Sequence, residues 1–421
     1  MSLVDKVAAA YDRIESESPA SVWISLMPRA AVLERARQVE QAPHLPLRGQ
    51  VFGVKDSIDV AGLPTTVACP AFAYTPVDSA AVVERLEAAG AIVVGKTNLD
   101  QFATGLVGTR SPYGACSSVF DATRISGGSS SGSAVAVAAG LVDFALATDT
   151  AGSGRIPAAF NGIVGLKPTR GVLSTRGLVP ACRSADCISI LAPSLKTTRA
   201  VFEVARGFDA QDPYARRAPS AADGAVRPVD RLRFGVPHGA HPGLDEPSFS
   251  RVLERFHGLG GTCVEIDFTP FREAGDLLYG PWVAERFADL GEFILGHLDE
   301  VNPVVRTIIL DGQRYSAADL FTAQHRLQAL RHTVAATFET IDVLVLPTAP
   351  GHPTHAEIEA DPIGANAKLG YYTTFANLLD LAVVAVPAGM RPDGLPFGVS
   401  LVAPAFTDAA LISLAEALAT D

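Results

Sequence analysis

The chain has 421 residues, of which 48% are apolar and 19% charged, and a formal net charge of −11. That composition supplies a large core, and the acidic balance argues against nucleic acid or an anionic membrane surface as the main partner. No uncharged apolar run reaches about 18 residues and no basic stretch precedes an apolar one near the start, so the sequence predicts neither a membrane span nor a secretion signal.

Residues 1–40 read as helical. Val4, Val7, Ala8 and Tyr11 fall at helical spacing, as do Ala31, Val32, Leu33, Ala36 and Val39, with Trp23-Ile24-Ser25-Leu26 interrupting them. After a Pro/Gly passage comes Phe52-Gly53-Val54-Lys55-Asp56-Ser57-Ile58-Asp59-Val60, patterned as a short buried strand. Two readings of Lys55 fit: an exposed lysine at a strand end, or a buried one whose desolvation leaves a fraction neutral and able to act as a base. A helix over 80–89, stopped by Gly90, precedes the apolar strand Ala91-Ile92-Val93-Val94-Gly95. Helices alternating with apolar strands predict an α/β fold with a sheet covered on both faces. The glycines and hydroxyls of 97–114 suit a substrate-facing loop and equally a plain connector.

The stretch 126–168 is the most unusual. It opens with Ser126-Gly127-Gly128-Ser129-Ser130-Ser131-Gly132-Ser133 and runs into a predicted helix over 134–141 and a short strand, Phe144-Ala145-Leu146-Ala147. Asp149-Thr150-Ala151-Gly152-Ser153-Gly154-Arg155-Ile156-Pro157 follows, and Gly165-Leu166-Lys167-Pro168 closes it. Ordering a Gly/Ser run costs much backbone entropy, so an ordered one signals close backbone approach to something. The second cluster can aim consecutive N–H groups one way and hold an oxyanion. Rival readings are ordinary turns, a nucleophile elbow centred on Ser130, and a phosphate cradle, although no G-K-[S/T] follows to make a P-loop.

Beyond Lys167 the signals thin. Residues 207–230 read as an exposed connection; strands are predicted at 232–237, 264–268, 341–347, 382–387 and 398–402, with a helix from Asp408 to the end and no internal repeat. The five cysteines, Cys69, Cys116, Cys182, Cys187 and Cys263, include no C-x-x-C pair and fit reduced thiols of a cytoplasmic protein. Only His44 of the nine histidines precedes the serine loops, so a Ser-His-Asp site would have to draw its histidine from the distal half. His352-Pro353-Thr354-His355 lacks a cysteine or carboxylate to complete a metal set, and the histidines read as surface or loop residues.

Together, Lys55 in G-V-K-D, the G-G-S-S-S-G-S loop, the D-T-A-G-S-G-R-I-P-A turn and the G-L-K-P-T segment resemble the amidase signature family, across roughly the first half of the chain. The resemblance implies the amidase signature fold, a large mixed β-sheet covered by helices on both faces, as one domain over residues 1–421. It also implies a Ser-cisSer-Lys triad, with Ser153 as nucleophile, Ser129 after a cis peptide as proton relay and Lys55 as base. N–H groups of Thr150, Ala151, Gly152 and Ser153 would form the oxyanion hole, with Asp149 and Arg155 bracing the turn. No metal or organic cofactor is expected, and a homodimer is.

Within the family, Trp23-Ile24-Ser25-Leu26, the 99–114 and 149–155 stretches and Gly280-Pro281-Trp282-Val283-Ala284-Glu285-Arg286 look like allophanate hydrolase. Its substrate is a small anionic amide, so the likeness implies Arg286 as a clamp on the substrate carboxylate, Tyr279 as a hydroxyl donor and Gly105 as a backbone contact. The plain alternative for Arg286 is an ion pair with Glu285 or Asp289. The activity implied is hydrolysis of the terminal amide through an acyl-enzyme, releasing ammonia. The rivals are hydrolysis of another small amide, a non-enzymatic phosphate-binding loop and the glutamine-hydrolysing part of an amidotransferase. The further C-terminal domain common in allophanate hydrolases is not expected within these residues.

Overall fold

A computed structural model describes residues 2–219 and 229–418 of the chain. Among them, eleven strands join in one sheet. In chain order these are β1 (Trp23–Leu26), β2 (Val51–Lys55), β3 (Ile92–Thr97), β4 (Phe144–Asp149), β5 (Val164–Lys167), β6 (Cys187–Ala192), β7 (Arg233–Pro237), β8 (Thr262–Ile266), β9 (Val343–Pro347), β10 (Leu381–Met390) and β11 (Pro396–Pro404). Across the sheet the order is β1-β3-β2-β4-β6-β5-β10-β11-β9-β7-β8. The pairing is mixed: β2 runs parallel to both β3 and β4, and β7 to β8 and β9, while the central pairs β4–β6, β6–β5, β5–β10 and β10–β11 are antiparallel.

Strands β2, β3, β4, β5, β6 and β9 are buried along their whole length, because helices cover both faces; this is why they read as continuous apolar runs. On one face Phe52, Val54, Phe144 and Leu146 pack with Val82, Val83 and Leu86 of the helix Ala81–Ala88. The Phe52 and Phe144 rings stack there at 4.9 Å. On the other face Val51, Ala145 and Ala147 pack against Ala134–Val137 of the helix Ser131–Ala138. Side chains alternate along a strand, so Lys55 shares the face of Val51 and Gly53. That is the face where the serine loop enters its helix.

The strand order has a chemical consequence. The chain leaves β2 for β3 on one side and returns to β4 on the other, so β2 lies at a switch point, and the crevice beyond its carboxyl end is where open α/β sheets bind ligands. Lys55 is the last residue of β2 and Asp149 the last of β4.

Three expectations shift. Trp23-Ile24-Ser25-Leu26 is not a mere interruption but the edge strand, antiparallel to β3. The helix expected over 134–141 starts earlier and spans Ser131–Ala138, placing Ser131, Gly132 and Ser133 in its first turn. Strand β8 lies at Thr262–Ile266, two residues before its predicted start at 264. Strands β5 and β6 were not foreseen. Of the expected connection 207–230, residues 220–228 lie outside the described residues, as do the last three residues of the closing helix. No helix among the described residues is long and apolar enough to cross a membrane.

Candidate active site

The turn after β4 is built around one buried carboxylate. Asp149 Oδ1 accepts the Gly152 N–H at 2.9 Å, and Oδ2 accepts the N–H groups of Gly154 and Arg155 at 3.2 Å each. Arg155 meets the same carboxylate with two guanidinium bonds, Nε to Oδ2 and Nη2 to Oδ1, both 2.8 Å. Burial alone would raise the Asp149 pKa, but the Arg155 guanidinium and the N–H donors hold it below the usual carboxylate value. Asp149 and Arg155 thus brace the turn, as expected. Gly152 adopts φ +121°, where a side chain would also run into Thr373, whose hydroxyl donates to the Ala151 carbonyl at 2.6 Å.

Gly152 differs from the expectation for the oxyanion hole. Its N–H is directed at Asp149, whereas those of Ala151 and Ser153 have no hydrogen-bond partner among the described residues. The Thr150 hydroxyl is anchored on Asp186 Oδ1 at 2.5 Å. Asp186 also accepts the N–H groups of Ala181 and Cys182 and is buried; burial raises its pKa against those donors.

Ser153 is 2% exposed, and its hydroxyl donates to the Gly105 carbonyl at 3.4 Å. The two serine clusters touch through backbone, Ser130 N–H to Ser153 C=O at 3.2 Å. The Gly128–Ser129 peptide is cis. Lys55 reaches into this space with no carboxylate partner among the described residues, and its Nζ donates to three hydroxyls: Ser129 at 2.7 Å, Ser130 at 3.0 Å and Thr148 at 2.6 Å. Burial pulls its pKa down to about 7, while the negative charges of Asp100, Asp149 and Asp186 pull the other way. A lysine held there is part neutral near pH 7 and can accept a proton. Ser130 also donates to the Thr148 carbonyl at 3.2 Å, which ties it to β4, whereas Ser129 bonds Lys55 alone through its side chain. Among the described residues no hydrogen bond joins Ser129 Oγ to Ser153 Oγ in this state.

Beside Ser153 lies a chamber lined by Gly105, Ala151, Tyr279, Arg286 and Asn366 among others. It is tight: the space open to a water's centre is about 10 Å³, room for roughly one water. It adjoins an outer cavity of about 510 Å³ that shares Arg110, Tyr279 and Asn366. Arg286, on the helix Val283–Gly296, is 4% exposed, and its Nη1 donates to Thr104 Oγ1 at 3.0 Å. Neither ion pair considered for it forms. Glu285 accepts from the Ser184 N–H and hydroxyl and from Cys182 Sγ, and Asp289 pairs with Arg183. Tyr279 ends the preceding helix with 36% of its surface exposed, yet its hydroxyl is enclosed, and burial raises its pKa against the opposing pull of Arg286 and Arg110. Gly105 approaches so closely that an added Cβ would lie 2.6 Å from Asp100 Oδ2.

Several residues at this site escaped the sequence reading, among them Thr148, Asn366, Arg110 and Asp186. Arg110 is buried against the chamber and Asp186 anchors the nucleophile turn; Arg110 had one visible signal, being the sole charge between Thr104 and Gly114. The histidines also need revision at one position. His352 is 5% exposed, stacks on Phe160 at 3.9 Å and donates from Nε2 to the Ile125 carbonyl at 2.8 Å. Burial lowers its pKa to about 4, so it is a neutral core residue. The cysteines are unpaired, four buried and Cys263 partly so.

The family model described as Amidase matches residues 5–412. The chain is 44% identical over 417 residues to the urea amidolyase of Saccharomyces cerevisiae, a match covering 96% of this chain and 23% of that protein. It is 36% identical over 419 residues to one component of the glutamyl-tRNA(Gln) amidotransferase of Halobacterium salinarum, covering 90% of this chain and 97% of that one. Among solved structures, the Kluyveromyces lactis allophanate hydrolase superposes with a TM-score of 0.95 at 40% identity, over 99% of this chain and 70% of that chain. The chain therefore spans less than a quarter of the length of the urea amidolyase it matches. With its sheet, its serine clusters and a family match over nearly its whole length, the chain belongs to the amidase family.

Proposed function

We propose that the chain hydrolyses the terminal amide of allophanate, releasing ammonia through an acyl-enzyme. The observation that carries this reading is Arg286: a buried guanidinium beside Ser153, free of both acidic neighbours on its own helix, in a narrow chamber that adjoins the outer cavity. A cation kept without a carboxylate partner favours a substrate that brings one. The likeness to urea amidolyase and allophanate hydrolase supports the same substrate.

In the proposed mechanism neutral Lys55 takes the Ser129 proton as Ser129 takes that of Ser153. Ser153 Oγ turns from the Gly105 carbonyl towards Ser129 and attacks the amide carbonyl carbon. The N–H groups of Ala151 and Ser153, with that of Thr150, stabilise the oxyanion. The proton on Lys55 returns through Ser129 to the leaving nitrogen, the C–N bond breaks and ammonia departs. Water then adds to the acyl carbon, giving its proton to the same relay; the C–O bond to Ser153 breaks and the relay returns that proton to Ser153 Oγ. Arg286 and the Tyr279 hydroxyl hold the carboxylate throughout. A homodimer in the cytoplasm belongs to the same proposal, and light scattering on the purified protein tests the first part.

Ammonia release measured in parallel with allophanate, biuret, malonamate and glutamine, with Ser153→Ala as control, tests the function. Turnover that favours allophanate and vanishes in the variant is the expected result. Preference for glutamine would replace the proposal with a role in an amidotransferase, the activity named for the Halobacterium relative. Hydrolysis unaffected by Ser153→Ala would end the assignment of this serine.

A further inference from the structure

We propose that Arg110 is a second substrate-binding cation, so that the substrate carboxylate is held between two buried guanidiniums and Arg110 sets the preference for an anionic over a neutral amide. The proposal rests on reading the chamber beside Ser153 as a site for short anionic amides. Arg110 is 3% exposed and lines both the inner chamber and the outer cavity. Its Nη1 donates to the Thr104 carbonyl at 3.0 Å and its Nη2 to the Pro362 carbonyl at 2.5 Å. The buried Nε has no hydrogen-bond partner among the described residues.

The acids near the two arginines are occupied elsewhere. Asp100, the carboxylate that most favours the charged form of Arg110, accepts the N–H groups of Val107 and Gly108 on Oδ2 and the Arg110 main-chain N–H on Oδ1. Asp186, whose charge is felt by Arg286, is bonded by Thr150, Ala181 and Cys182. Both acids offset charge at a distance and leave the guanidiniums without an ion pair. Thr104 ties the pair together, its carbonyl accepting from Arg110 and its hydroxyl from Arg286, and the next residue, Gly105, holds the Ser153 hydroxyl. Two desolvated like charges fixed to one short stretch beside the nucleophile are relieved by an anion and not by a carboxamide.

Allophanate and biuret differ only in carboxylate against carboxamide, so kcat/KM on both for the wild type, Arg110→Met and Arg110→Lys tests the proposal. Arg110→Met is expected to lose about ten- to hundredfold on allophanate and less than about threefold on biuret, with Arg110→Lys between the two. Equal losses on both substrates, or none, would overturn it, since a merely structural arginine affects them alike. Thermal melts accompany the assay; if the methionine variant does not fold, the allophanate-to-biuret ratio of Arg110→Lys decides, an unchanged ratio counting against the proposal. A wild type that prefers biuret would instead sink the anionic-substrate reading itself, and this inference with it.

Discussion

Replacing Lys55 by methionine separates the chemistry of the buried base from its effect on the fold. Burial brings the Lys55 pKa from 10.5 to about 7, and at about 1.4 kcal/mol per pH unit the charged form is about 5 kcal/mol worse off folded than unfolded. Below pH 7 both states hold the proton and the folded protein carries the whole penalty. As pH rises through 7 the folded lysine sheds its proton while the unfolded one keeps it up to 10.5, so the unfolded state binds more protons and stability climbs. Between pH 6 and pH 9 the wild type should therefore gain about 2–3 kcal/mol relative to Lys55→Met. Urea unfolding of both proteins at the two pH values measures this, and the difference of differences removes every other titrating group. The variant should lose about 10²–10⁴ in kcat, while wild-type kcat/KM rises through pH 7, as its stability does, and then levels. A stability difference that is the same at both pH values would refute the desolvated lysine, and with it the base.

Asp149→Asn should weaken the paired guanidinium and cost about 3–5 kcal/mol in denaturant unfolding, because the Arg155 charge stays buried. Gly152→Ala, at φ +121° and against Thr373, should destabilise by about 1–3 kcal/mol in thermal melts and lower kcat with little effect on KM. Arg286→Met should raise the KM for allophanate by about tenfold or more, with Arg286→Lys recovering part of it, as steady-state kinetics would show.

The parts of the site that could be read in advance are those where local sequence and chemistry coincide. Lys55 stands in an apolar strand where a charge needs a reason, and the Gly/Ser clusters around Ser129 and Ser153 are too costly to order without one. The α/β class followed from helices alternating with apolar runs. What escaped depends on distant partners. The edge strand β1 and the central β6 are four and six residues long, and their pairing with β3, β4 and β5 is decided by the sheet rather than by their own pattern. Gly152 looks as free as its neighbours until Asp149 is seen to take its N–H. Arg110 and Arg286 lie far apart in the chain and meet through Thr104, while Phe160, stacked on His352, shows why a loop histidine can be core.

The most direct test of the central claim, that Lys55 activates Ser153, is peptide mapping by mass spectrometry after reaction with methanesulfonyl fluoride, a reagent small enough for a tight chamber. Labelling at Ser153 that disappears in Lys55→Met, and rises with pH through about 7 in the wild type, is the predicted result. Labelling at Ser130 or Cys182, or labelling of Ser153 that persists without Lys55, would contradict the account.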